Sequence, residues 1–204
     1  MQMEDLISIS KRNLDKAKEI IAELRIQEIW ESLDSTCNLV GSVKTGLLMN
    51  NLDIDFHTYS SDFSIHKSFV AISKIAENPK IKNLTYKNLL EAEDMCLEWH
   101  LSYEETPERL WTIDIIHIKN ESAYAGVIER VTQKIKSLIT EQQRNIVLLI
   151  KWQAQQSGEK YRSIDIYQAV MEDGINSFDT FKLWYINQKN DDISHWEPKQ
   201  FKLR

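Results

Sequence analysis

At 204 residues, 42% hydrophobic and 27% charged, the chain can bury a proper core without staples, as one compact unit or two tightly joined lobes. Its formal charge of −6, with no dense Lys/Arg stripe, argues against a long nucleic-acid footprint held by many phosphate contacts; a small acceptor, a cationic one included, fits better. Cys37 and Cys96 lack C-x-x-C spacing and His partners, and no signal peptide or apolar run of membrane length is present, so cytoplasmic residence with free thiols is expected.

In chain order, Leu6, Ile9, Leu14, Ala17, Ile20, Ile21, Leu24 and Ile29 give residues 3–31 a helical periodicity that would cover one face of a sheet. Cys37-Asn-Leu-Val40 is an apolar run ending at Gly41-Ser42, where a strand would turn into a short helix. Free N–H groups and partial positive charge collect at such a place, and glycine lets a phosphate approach the backbone closely. Ser42 adds a hydroxyl and Lys44 a counter-charge. Asp53-Ile-Asp-Phe-His-Thr-Tyr59 alternates polar with apolar and reads as a half-buried strand, so Asp53 and Asp55 share a face. Their Cα atoms would lie about 6.5 Å apart, two strand rises, and two carboxylates converging from there can bridge a pair of hard cations.

Ser64 is placed to cap a helix over 65–77, which Asn78-Pro79 stops. Met95, Leu97, Trp99, Leu101 and Tyr103 then alternate with polar residues. Glu104-Glu-Thr-Pro-Glu-Arg109 supplies a turn, and the β-branched run 110–118 returns as the second strand of a hairpin. Asp114 in the middle of that run is costly if buried without a partner, and a metal ion would supply one. From about Ser122 the texture becomes helical through Gln156 and ends at Ser157-Gly158. Ser163 resembles an N-cap for 164–172, Asp173-Gly174 stops that helix, and Ser177 begins another through Asn187. The tail 190–204 is polar, mixed in charge and left unassigned.

The order G-S, then Gly46, then D-x-D seven residues later, then an Asp on a hairpin strand, resembles the nucleotidyltransferase superfamily related to DNA polymerase β, which includes poly(A) polymerases and antibiotic nucleotidyltransferases. The match covers about residues 36–118. The resemblance implies an α+β fold, a mixed β-sheet flanked by helices (1–120), followed by a mostly helical C-terminal lobe (121–204). It implies that Gly41 and Ser42 hold the phosphates of an NTP, ATP in the first place, that Asp53 and Asp55 hold two Mg²⁺ ions (or Mn²⁺), and that Asp114 holds the one that activates the acceptor hydroxyl. Leu148-Leu-Ile-Lys-Trp-Gln-Ala154 is similar to the poly(A)-polymerase helix whose lysine reaches the triphosphate, which nominates Lys151 beside Lys44. Leu52 replaces the small polar residue that members often carry before the first Asp. The arginine-rich motif of tRNA-end-completing enzymes is absent, as is the Arg-to-His spacing of the ribonuclease toxins that pair with small nucleotidyltransferases.

Other conspicuous side chains have plainer readings. His57 reads as a partly exposed strand histidine, and His117, out of phase with Asp114, as packing. Trp99, Trp111, Trp152 and Trp184 read as core, and Lys134, Lys136, Arg144, Lys160 and Arg162 as a solvated face that could alternatively shield phosphates. The expected activity is metal-dependent transfer of a nucleoside monophosphate from an NTP to an acceptor hydroxyl on a small molecule. The alternative is a nucleotide-binding, regulatory or interaction module that keeps the clamp and transfers nothing.

Overall fold

The computed structural model describes residues 2–188 and 196–199. Helix α1 (Met3–Leu24) and helix α2 (Ile26–Glu31) lead into strand β1 (Ser35–Val40), the short helix α3 (Gly41–Thr45) and strand β2 (Asp53–Ser60). Helix α4 (Ile65–Ala76), strands β3 (Ile81–Leu89), β4 (Cys96–Thr106) and β5 (Arg109–Ile118), and helices α5 (Val127–Leu138), α6 (Glu141–Gln156), α7 (Ser163–Met171) and α8 (Phe178–Ile186) follow.

The strands form one sheet in the order β1-β2-β5-β4-β3. Among the described residues only the pair β2·β5 is parallel, so the sheet is mixed and the fold α+β. Period-two alternation sorts each strand into two faces. Ile54 and Phe56 of β2, Ile113 and Ile115 of β5, and Trp99 and Leu101 of β4 all turn inward. They pack in one core with Ala17, Ile20 and Leu24 of α1, Trp30 of α2, and Ala71, Ile72 and Ile75 of α4. The opposite face carries the polar members of the same strands.

A second core joins Leu47 to Val131 and Ile135 of α5, Val147 and Ile150 of α6, Ile166, Ala169 and Val170 of α7, and Phe181 of α8. Leu47 belongs by sequence to the connection between α3 and β2, so the link to the acidic strand is also an anchor for the helical layer.

Several local expectations need adjusting. The periodicity over 3–31 is two helices, because Arg25 adopts a left-handed conformation (φ 50°) that breaks the hydrogen-bond ladder. The run after Ser122 is likewise interrupted, at Thr140, whose hydroxyl and Gln143 form a capping box that starts α6. Ser163 is the first residue of α7 and Arg162 its cap, whereas Ser64 and Ser177 do accept N-terminal amides as caps. Strand β3 has no clear signature in the sequence. It is a mostly exposed edge strand in which Lys82, Asn83, Lys87 and Asn88 hide the alternation. Residues 189–195 and 200–204, most of the unassigned tail, lie outside the described residues. No helix among the described residues is long and apolar enough to cross a membrane.

Candidate active site

The polar face of the sheet gathers the candidate residues around the parallel pair β2·β5. Register places Asp55 directly opposite Asp114 and Asp53 opposite Thr112. Because Asp53 and Asp55 alternate with the buried Ile54 and Phe56, both point to the side where Asp114 also lies. All three carboxylates of the acidic pattern therefore come together.

Their mutual electrostatics are unfavourable without a cation. Burial, reinforced by the charges of Asp53 and Asp114, pushes the Asp55 carboxyl up to about 8, and Lys151 pulls against it. Burial raises Asp53 as well, opposed by Lys151 and by a hydrogen bond from Asn51. Two desolvated carboxylates beside the partly exposed Asp114 make a donor set of hard oxygens, the chemistry that Mg²⁺ or Mn²⁺ takes.

Val40 pairs with Asp55 at the end of β1, which brings Gly41 against the same carboxylate. Two constraints select glycine here. Its φ is +65°, and a Cβ at this position would fall 2.1 Å from Asp55 Oδ2, so no side chain fits without moving the acid. Ser42 follows, 4% exposed, and among the described residues its hydroxyl has no hydrogen-bond partner. A buried hydroxyl without a partner is costly, and a ligand oxygen beside it would relieve the cost. Lys44 sits on the outer side of α3, exposed to solvent.

Lys151 comes from α6. Its Nζ donates to Leu47 O (3.0 Å) and to Tyr167 Oη (2.9 Å), and it is the cation felt by both Asp53 and Asp55. Two helical turns earlier, on the same stripe, Arg144 donates to Gly46 O (2.5 Å) and Thr45 O (3.3 Å). From the other side, α1 sends Ser10 to Leu48 O and Asn13 to Met49 O, each at 2.7 Å. The segment from Thr45 to Met49 is thus held carbonyl by carbonyl between α1 and α6. Arg144, which sequence reasoning placed on a solvated face, is a structural clamp on the connection that delivers Asp53. Lys134 pairs with Glu197, and Arg162 with Asp165.

Two cavities border Asn50-Asn51. One, of about 360 Å³, is lined by Asn50, Asn51, Leu52, Asp53, Leu110, Thr112 and Asp114. The other, of about 530 Å³, lies against α6 and α7 and takes in Lys151, Gln155, Lys160, Tyr161 and Ser163.

The histidines divide. His117 is fully buried on the core face, edge-on to Trp30 and tilted against Phe63, with Nε2 2.8 Å from Ser60 Oγ; burial depresses it to about 4 and keeps it neutral. His57 is on the site's face and partly exposed, as its strand position implies, with Nδ1 3.5 Å from Glu129 of α5. His100, which sequence reasoning passed over, lies 2.7 Å from Asp114.

No protein-family model and no curated protein sequence matches this chain. Solved structures do match in fold. A Cid1 poly(U) polymerase with Mg 3′-dATP bound superposes with a TM-score of 0.59 at 14% identity, over 83% of this chain and 54% of that one. A cytoplasmic RNA terminal U-transferase gives 0.55 at 16% identity, over 81% and 50%. The non-canonical poly(A) polymerase complex GLD-2–GLD-3 gives 0.54 at 12% identity, over 93% and 66%. The chain shares the nucleotidyltransferase-like fold of these structures, and it spans about half the length of the first two of them.

Proposed function

We propose that the chain is a nucleotidyltransferase: it transfers a nucleoside monophosphate from an NTP, ATP in the first place, to an acceptor hydroxyl, with pyrophosphate leaving. The observation that carries this reading is the convergence of Asp53, Asp55 and Asp114 on one face of the parallel pair β2·β5, beside the amine of Lys151 and the hydroxyl of Ser42, which has no partner among the described residues. Residues 1–120 would form the catalytic part and 121–204 the helical part that closes on the nucleotide.

The donor set fits divalent cations. Asp53 and Asp55 would hold both, and Asp114 the one nearer the acceptor. When bound, such a pair supplies Lewis-acid polarisation and charge neutralisation at the transferring phosphorus. The protein's own part is positioning. Gly41 leaves room beside Asp55, Ser42 donates its hydroxyl to a phosphate oxygen, and Lys151 neutralises charge on the triphosphate. Lys44, exposed on α3, would contribute a longer-range attraction. The larger cavity, with Lys151 and Lys160 on its wall and the ring of Tyr161 available for stacking, suits the nucleotide. The smaller one, which contains Asp53 and Asp114 and no lysine or arginine, suits an acceptor. Asp114 accepts or orients the acceptor's proton as the oxygen attacks phosphorus.

For the acceptor, the net charge of −6 and a lining of the smaller cavity without lysine or arginine favour a small neutral or cationic hydroxyl compound. A second reading, the 3′ hydroxyl of an RNA, is favoured by the neighbours in fold, which are RNA uridylyl and poly(A) transferases. We place the reaction in the cytoplasm.

The test is thermal unfolding with each of the four NTPs, with and without Mg²⁺ or Mn²⁺, on the wild type and on Asp55→Asn. A native-state ligand at about a hundredfold over its Kd stabilises by about 2.7 kcal/mol. A metal-dependent rise with at least one NTP, abolished by Asp55→Asn, together with pyrophosphate release is expected. A rise without turnover on any acceptor would favour the non-catalytic alternative, and no metal-dependent rise at all would overturn the nucleotide reading.

A further inference from the structure

Each carboxylate of the site needs something to fix its direction, and the three are fixed differently. Asp53 is tied to Asn51, and Asp55 is confined by the backbone of Gly41. Asp114 lies on the open part of the face, where neither device reaches. Its neighbour across the antiparallel pair β4·β5 is His100, directly opposite in register. His100 Nδ1 is 2.7 Å from Asp114 Oδ1, and its Nε2 is 3.3 Å from Glu98 Oε2. Glu98 in turn accepts from Lys87 Nζ at 3.0 Å, and Lys87 pairs with Glu98 in the β3·β4 register. An ionised carboxylate only accepts hydrogen bonds, so Nδ1 is the donor to Asp114. The result is a row across strands β3, β4 and β5, on the same face as the acidic site, ending on the third carboxylate.

We propose that His100 is the positioning residue of Asp114. Its Nδ1–H holds one carboxylate oxygen and so fixes the rotamer in which the other is presented to the cation and the acceptor. Glu98 and Lys87 hold the ring in that orientation. This inference rests on the reading of Asp53, Asp55 and Asp114 as a divalent-cation site. His100 is not itself a ligand in this arrangement, because both ring nitrogens are engaged by carboxylates. Hydrogen-bond partners of this kind commonly change metal affinity by about 10–100-fold when removed.

The experiment measures Mn²⁺ binding directly, by loss of the free-ion paramagnetic resonance signal, without nucleotide or turnover. It compares the wild type with His100→Ala, His100→Asn and Asp114→Asn. Asparagine places an amide donor near the position of Nδ1, and alanine places none. The expected result is a Kd for the Asp114-dependent ion raised about 10–100-fold in His100→Ala and largely restored in His100→Asn. In an Asp114→Asn background, His100→Ala should add nothing further. Unchanged binding in His100→Ala would overturn the proposal. Tighter binding would overturn it as well, showing that the histidine competes with the cation. If the alanine variant fails to fold, His100→Leu against His100→Asn makes the same comparison at similar side-chain volume. Failure of the wild type to bind Mn²⁺ would remove the cation site itself, an outcome distinct from wild-type binding that His100 does not influence.

Discussion

The two faces of the sheet are made by the same strands, one residue out of phase, and they hold opposite chemistry. On the helix-covered face, Ile54, Phe56, Ile113 and Ile115 are fully buried among apolar neighbours. On the other, Asp53, Asp55 and Asp114 crowd together, each next in sequence to one of those core residues. The first face gains free energy from leaving water and the second loses it, since burial drives Asp55 far from its ordinary carboxylate range. The apolar face thus stabilises a strand pair whose other side is electrostatically unfavourable by itself. His117 shows that the division is strict: a titratable ring on the core face is held neutral, with its Nε2 bonded to Ser60.

If the division of labour is correct, damage to one face should leave the other's chemistry in place. The largest effect is expected from Phe56→Ala, which empties a fully buried position between Asp55 and His57. A core Phe→Ala substitution costs about 3–5 kcal/mol, and at about 2–4 °C per kcal/mol for a chain of this size the unfolding midpoint should fall by roughly 10 °C. Below that midpoint, Mn²⁺ stoichiometry should match the wild type. Calorimetry with parallel metal titration checks both halves. Loss of metal binding in a still-folded variant would show that core packing sets the carboxylate geometry directly.

The two faces also differ in how far they could be read in advance. Strand β2 was legible because alternation in 53–59 is nearly complete, and alternation alone puts Asp53 and Asp55 together. That Asp114 joins them depends on a parallel pairing between residues more than fifty positions apart, and it came only from the family resemblance. For His100 the alternation gives the face but not the partner. The hairpin closes with Thr106 opposite Arg109, and that register, extended without interruption, would set His100 against Ile115 on the core face. An irregularity between Glu104 and Thr106 shifts the pairing by one residue and puts His100 against Asp114 instead. The hydrophobic alternation of the two strands requires that shift, since it sets His100 and Asp114 on one polar face, but it does not say which residues of that face stand opposite each other. The hydrogen bonds from α1 and α6 to the backbone of 45–49 were equally hidden, because their acceptors are carbonyls, which every residue has.

Gly41→Ala strikes where the faces meet, at the turn from β1 into α3, and should have an intermediate effect. The left-handed φ of +65° costs a non-glycine residue about 1–2 kcal/mol, and the added methyl also displaces the Asp55 carboxylate. The midpoint is expected to drop by a few degrees while Mn²⁺ binding weakens far more than stability does. Serial metal titration of folded Gly41→Ala decides it, and metal affinity equal to the wild type's would mean that Asp55 tolerates a different direction.

The smallest effect expected separates the faces by pH alone, in metal-free protein. For His117 the folded value is about 4, below the ordinary 6.5, so the unfolded chain binds a proton that the folded chain refuses; stability is lost as pH falls from 6.5 toward 4. For Asp55 the folded value is about 8, above the ordinary 3.8, so the folded chain keeps a proton that the unfolded chain has released; stability is lost as pH rises from 3.8 toward 8. Between pH 6.5 and 8 only the Asp55 contribution remains active of these two. With EDTA present, the wild-type midpoint should decline across that interval by a few degrees, reflecting at most about 2 kcal/mol. Asp55→Asn should flatten the decline and leave the acid-side loss from His117 untouched. Saturating Mg²⁺ should flatten it as well, because a cation beside the ionised carboxylate replaces the proton. A decline that persists unchanged in Asp55→Asn would place the responsible group elsewhere, and the carboxylate face would then carry less strain than its crowding implies.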